Sequence, residues 1–108
     1  MPSVLWAYDI IDKTKKIDFY FDDEKEIIAK IDEEYKEVLD ALNDRTRLQE
    51  ELGDLIFSII ILLYYYDLDP EITIKKANVK FIKRFKKMEE IANLSVIEFQ
   101  KLGKVRLI

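Results

Sequence analysis

The chain has 108 residues, of which 49% are apolar and 37% charged, so it is short enough for one domain and too hydrophobic for disorder. It has no cysteine and no histidine, which excludes disulfides, thiolate nucleophiles, cysteine zinc sites and the commonest general base. A net charge of −4 gives no electrostatic reason to bind nucleic acid, and two glycines and two prolines leave little turn material for a many-stranded β fold.

The first helix is predicted over about residues 3–17, where Val4, Leu5, Tyr8 and Ile11 recur near helical spacing. "IDFYF" (17–21) breaks that pattern and reads as an aromatic connector. Asp23 is placed to cap the second helix, with Glu26 three residues on in the capping-box position. Ile27, Ile28, Ile31, Tyr35, Val38, Leu39 and Leu42 form its apolar stripe, and Asn43-Asp44 ends it or caps the next helix.

The third helix is predicted over about 45–67. Leu48, Leu52, Leu55, Ile56 and Ile59 hold one face, and from Leu55 onward the segment is apolar almost all round. Such a helix needs cover on every side, more than so short a chain supplies. It reads as an oligomer interface, most simply a two-fold dimer, with a central core helix of a monomer as the other reading. Its apolar run, Leu55 to Tyr66, is well short of the roughly 20 residues of a bilayer span. The N-terminus has neither the basic start nor the cleavage site of a signal peptide, so a cytoplasmic chain without a membrane partner is expected.

Asp69-Pro70 opens a fourth helix that continues to about 92, and Ser95-x-x-Glu98 opens a short fifth one that Gly103 ends. The expected fold is all-α: an antiparallel helix bundle of four main helices plus a short C-terminal helix, completed by dimerisation, in a single domain over residues 1–108.

Glu34 and Glu37 are one turn apart on the second helix, as are Glu51 and Asp54 on the third. Counted from the turn at Asn43-Asp44, the two pairs fall at similar heights if the helices are antiparallel neighbours. Four carboxylates then converge and repel unless a cation neutralises them. An all-oxygen set suits Mg²⁺, with Mn²⁺ as a substitute, and Mg²⁺ keeps positions open for substrate phosphate. A solvated acidic face is the competing reading. The absence of histidine argues against a ferritin-like di-iron site.

"KKANVKFIKRFKK" (75–87) is strongly basic, and Lys80, Arg84 and Lys87 form one stripe. It fits a grip on triphosphate oxygens, a solvated face, or a nucleic-acid footprint, and spacing alone does not choose.

Taken in order, Glu-Glu-x-x-Glu, "EELGDLIFSI" and "KKANVKFIKRF" resemble the MazG-type nucleoside triphosphate pyrophosphohydrolases of the all-α NTP pyrophosphatase superfamily, over roughly residues 6–92. The resemblance implies Mg²⁺-dependent hydrolysis of NTPs or dNTPs at the α–β phosphoanhydride, giving nucleoside monophosphate and pyrophosphate, in nucleotide-pool house-cleaning. It implies a homodimer or dimer of dimers. Carried over residue by residue, Glu34, Glu37, Glu51 and Asp54 are the metal ligands, Lys80 and Arg84 grip the phosphates, and Glu33 and Glu50 orient or deprotonate the attacking water. Two departures stand out. The connector reads Asp18-Phe19-Tyr20-Phe21 where the family often has Gly-Phe-Asp-Trp, and the C-terminal segment has no tryptophan. Base recognition is therefore weakened, relaxed or moved to Phe19, Tyr20 or Phe21, aromatics that otherwise serve core or dimer packing. A catalytically silent nucleotide-binding or regulatory helical dimer module is the alternative function.

Overall fold

The computed structural model describes residues 2–92, and the expected fifth helix lies outside them. The described residues form four helices and no strand: α1 (Ser3–Lys16), α2 (Glu24–Asp40), α3 (Arg45–Tyr65) and α4 (Pro70–Ala92). The all-α expectation holds. The chain divides after Glu71 into two units. The first contains α1 to α3, with α3 packed against both α1 and α2. The second begins within α4.

Each boundary has a local cause. The Asp23 side chain accepts the Glu26 N–H at 3.1 Å, and Glu26 reaches back to the N–H of Asp22, also at 3.1 Å. This satisfies two donors at the start of α2, with the return bond one residue earlier than in the standard capping box. Asp44 caps α3 by accepting the Arg47 N–H at 3.2 Å. Helices α1 and α3 end alike. Phe19 N–H donates to the Thr14 carbonyl and Asp18 N–H to that of Lys15, while Leu68 donates to Leu63 and Asp67 to Tyr64. These are Schellman closures, and they place Asp18 and Asp67 in the left-handed region, at φ 59° and 56°. Glycine usually fills that position, because a Cβ there is strained.

The core of the first unit is aliphatic: Ile11 from α1, Ile27 from α2, and Ile60 and Ile61 from α3. Tyr8, Tyr20 and Tyr64 pack beside it edge to face, with ring centroids 5.1 Å (Tyr8–Tyr64) and 5.8 Å (Tyr20–Tyr64) apart. The Lys15 ammonium lies over the rings of Tyr20 and Tyr64. Tyr64 donates its hydroxyl to Asp12, tying α3 to α1. That bond holds the Asp12 carboxyl below its usual range and pushes the Tyr64 phenol up to about 12.

Among the described residues, the apolar stretch of α3 is not covered on every side. Ser58, Ile60 and Ile61 are buried, while Leu52, Ile56, Phe57 and Ile59 stand exposed. On α2, Ile28, Tyr35 and Leu39 are exposed too, as is Leu42 in the turn that follows.

Two predictions follow from these contacts. Asp67→Gly removes left-handed strain and raises unfolding free energy by about 0.5–1 kcal/mol, read from urea denaturation at neutral pH; a loss of stability would show that the Asp67 side chain has a role of its own. The Tyr64 phenol stabilises the fold while neutral. Its contribution is complete below the unfolded value of 10.0 and is lost as pH rises through about 12. Asp12 contributes in the opposite sense, above its unfolded value and lost as pH falls through the folded one. Melting temperature should fall between about pH 10 and 12, and Tyr64→Phe should flatten that slope in a pH series.

Candidate metal centre on the α2–α3 hairpin

Four residues, Ala41 to Asp44, turn the chain between α2 and α3, so α3 runs back along α2. Arg47 clasps the turn. One guanidinium nitrogen donates to the Asp40 carbonyl at 3.2 Å, and the other meets the Glu37 carboxylate at 3.4 Å. One turn further from the hairpin end, Glu34 of α2 faces Glu51 and Asp54 of α3. One carboxylate oxygen from each of these three lies within 4.8 Å of the others. Glu34 is buried at 7% exposure, Glu51 is half-buried, and Asp54 is exposed. No other such group of three occurs among the described residues.

The group carries the mark of like charge. Partial desolvation and the neighbouring carboxylates of Glu37, Asp54 and Glu34 push the Glu51 carboxyl up, against the opposing pull of Arg47. Lys30 answers part of the charge: its ammonium meets Glu34 Oε1 at 2.7 Å. Its own pKa is raised, first by that bond and then by the charges of Glu34, Glu33 and Asp54.

Three of the four expected ligands thus come together. Glu37 lies near enough to affect Glu51, but its carboxylate is engaged by Arg47. Spacing alone treated Glu34 and Glu37 as equivalent. The difference comes from Arg47, which lies as near the turn on α3 as Glu37 does on α2. Arg47 and Lys30 were missed by sequence reasoning. The signals were available: Lys30-x-x-x-Glu34 is an i, i+4 pair, and Glu37 and Arg47 flank the turn almost symmetrically. Glu33 and Glu50 are exposed, each one residue before a member of the group. Lys80 and Arg84 are exposed one turn apart on α4, in the second unit.

A hard divalent cation fits this arrangement. Octahedral coordination at about 2.1 Å places ligand oxygens roughly 3.0–4.2 Å apart. Oxygens already within 4.8 Å need only a small contraction. Carboxylates without nitrogen or sulfur donors suit Mg²⁺ or Mn²⁺ over zinc or copper.

One turn beyond Asp54, Phe57 enters the wall of an apolar cavity of about 150 Å³, shared with Ile10, Thr14, Phe19, Tyr20 and Ile61. Tyr20 and Phe21 are half-buried against the core, whereas Phe19 is exposed.

The model of the MazG nucleotide pyrophosphohydrolase domain matches residues 22–89, most of the chain and both of its units. The chain belongs to this family. It is 41% identical over 91 residues to the nucleoside triphosphate pyrophosphohydrolase/pyrophosphatase MazG of Thermotoga maritima, a match covering 84% of this chain and 35% of that protein. It is 32% identical over 95 residues to the nucleoside triphosphate pyrophosphohydrolase of Escherichia coli, covering 84% and 36%. The chain therefore spans about a third of the length of these curated relatives. The family match contains every candidate residue from Glu33 to Arg84.

Glu51 carries a raised pKa, so its ionised form costs stability at neutral pH, a cost that grows as pH rises through the folded value. In chelator at neutral pH, Glu51→Gln should melt above wild type and should gain nothing further from Mn²⁺. Thermal melts with and without the metal check both; a lower melting point in chelator would mean the repulsion is not felt by the fold.

Proposed function

We propose that this chain is a nucleoside triphosphate pyrophosphohydrolase: it hydrolyses NTPs or dNTPs between the α and β phosphates, releasing nucleoside monophosphate and pyrophosphate, in cytoplasmic nucleotide-pool house-cleaning. The observation that carries the reading is the convergence of Glu34, Glu51 and Asp54 within 4.8 Å, in a chain of the MazG domain family.

Glu34, Glu51 and Asp54 would hold Mg²⁺, with Mn²⁺ as a substitute, and Glu37 joins them when Arg47 releases it. The bound ion supplies Lewis acidity toward a phosphoryl oxygen and lowers the pKa of water. The remaining work falls to side chains. Glu33 and Glu50, exposed beside the ligands, are the candidates to orient the attacking water and take its proton. Lys80 and Arg84 bind phosphate oxygens and offset charge developing on the leaving pyrophosphate. The apolar cavity walled by Phe19, Tyr20 and Phe57 offers a base the aromatic surface that the missing C-terminal tryptophan does not.

A homodimer, or a dimer of dimers, belongs to the same proposal. Leu52, Ile56 and Ile59 on α3, with Tyr35 and Leu39 on α2 and Leu42 in the turn, leave more apolar surface exposed than a lone domain of this size tolerates well. Gly53 lies among them, and a Cβ there would meet nothing within 4 Å among the described residues. A mid-helix glycine costs about 1 kcal/mol relative to alanine, so close approach of a partner helix is a reason for it. The same proposal takes residues 1–108 as one domain; in its support, the family match over residues 22–89 runs through both units. Among the described residues no helix is long and apolar enough to cross a membrane.

The test is product identity. Incubated with each common NTP and dNTP and Mg²⁺, the protein should yield monophosphate and pyrophosphate on anion-exchange chromatography. Asp54→Asn should lower kcat by at least about a hundredfold with its helical content intact, and Lys80→Ala should lower kcat as well as raise KM. Diphosphate plus inorganic phosphate as products would place the cleavage at the wrong bond for this reading.

A further inference from the structure

Glu34 is the one charged side chain buried among the described residues, at 7% exposure. A buried carboxylate without a cation is costly, and two cations have a claim on this one. The first is Lys30, four residues back on α2, whose ammonium meets Oε1 at 2.7 Å. The second is any divalent ion held with Glu51 and Asp54, since Glu34 is the α2 member of that group. The two claims conflict. An ammonium hydrogen-bonded to Glu34 would share that one carboxylate with the dication, and a single negative charge offsets only part of the repulsion between the two cations. The Lys30 side chain has somewhere to go: it is 38% exposed, and a long flexible stem can carry its ammonium into water.

We propose that Lys30 is a tethered counter-cation that competes with the divalent ion for Glu34 and thereby sets the metal concentration at which the site fills. The proposal rests on the reading of Glu34, Glu51 and Asp54 as the metal ligands. It differs from a surface ion pair in kind. Lys36 and Asp32, on the same helix and also an i, i+4 pair, meet at 2.8 Å with side-chain exposures of 69% and 58%, and nothing competes for that carboxylate. It differs also from Arg47 and Glu37, which are part-buried beside the turn and do not involve the buried ligand.

The competition is read by calorimetric titration of the full chain with MnCl₂ after removal of trace metal. Lys30→Met should bind Mn²⁺ about tenfold more tightly than wild type, the low end of the effect of removing one competing charge-assisted hydrogen bond. Lys36→Met removes the same charge from the same helix without touching Glu34 and should change affinity less than about twofold. In chelator, Lys30→Met should melt below wild type and should gain more on adding Mn²⁺ than wild type does. If the metal-free Lys30→Met variant does not fold, Lys30→Arg decides: a bidentate guanidinium grips the carboxylate harder than an ammonium, so Mn²⁺ should bind several-fold more weakly. Equal affinity of wild type and Lys30→Met, or of wild type and Lys30→Arg, overturns the competition while leaving the metal site standing. Equal affinity of wild type and Glu34→Gln overturns the site itself, and the competition with it.

Discussion

The packing of α2 against α3 holds the carboxylates of Glu34, Glu51 and Asp54 within 4.8 Å of one another, and much of the first unit can be understood as a response to their repulsion. The hairpin is kept shut by apolar contact: Ile27, Val38 and Ala41 are buried, as are Ile60 and Ile61 across from α1 and α2. Burial of this kind is insensitive to the sign of nearby charge, so it can oppose an electrostatic force without being weakened by it. Charge is then handled locally. Lys30 meets Glu34, and Arg47 meets Glu37 while closing the turn. Both bases come from the two helices that carry the acids, so the hairpin balances part of its own charge.

That balance is uneven. Among the described residues no ion pair is formed by Glu51, and partial desolvation with the neighbouring carboxylates pushes its carboxyl up. A site with a buried ligand matched by a lysine, a half-buried ligand under repulsion, and an exposed ligand at the mouth has a gradient of need for positive charge. A divalent cation satisfies all three at once. The same repulsion that costs the fold stability would give the hairpin an affinity for such an ion.

Elsewhere the unit is built for rigidity. Both Schellman closures put an aspartate where glycine is the usual choice, so two strained residues end the two helices that flank the tyrosine cluster. Tyr64 links α3 to Asp12 on α1, and Lys15 caps the rings of Tyr20 and Tyr64. These contacts fix α1 and the connector against α3 nearly three turns beyond Asp54. The aromatic wall near Phe57 is thereby held at a set distance from the carboxylates, a useful property in a site that would have to measure the length of a nucleotide.

The helices were legible in the chain because their causes are local. Asp23 and Asp44 as N-caps, Pro70 at the first turn, and the stripe of Ile27, Ile31 and Val38 all act within a few residues, and the turn at Asn43-Asp44 set the two acidic segments at similar heights. The ordered acidic and basic motifs also carried the family. What residue spacing left open was which carboxylates share a point in space. Glu34 and Glu37 have the same spacing and charge, yet Arg47, reached only after the chain reverses, draws Glu37 aside while Glu34 is buried against α3. Burial on α3 was equally out of reach of composition. A run apolar all round says that cover is needed, but only packing against α1 and α2 decides that Ile60 and Ile61 receive it and Ile56 and Ile59 do not. Sequence determined the elements because backbone preferences and capping are short-range; tertiary structure decided the site because charge and burial depend on neighbours distant in the chain.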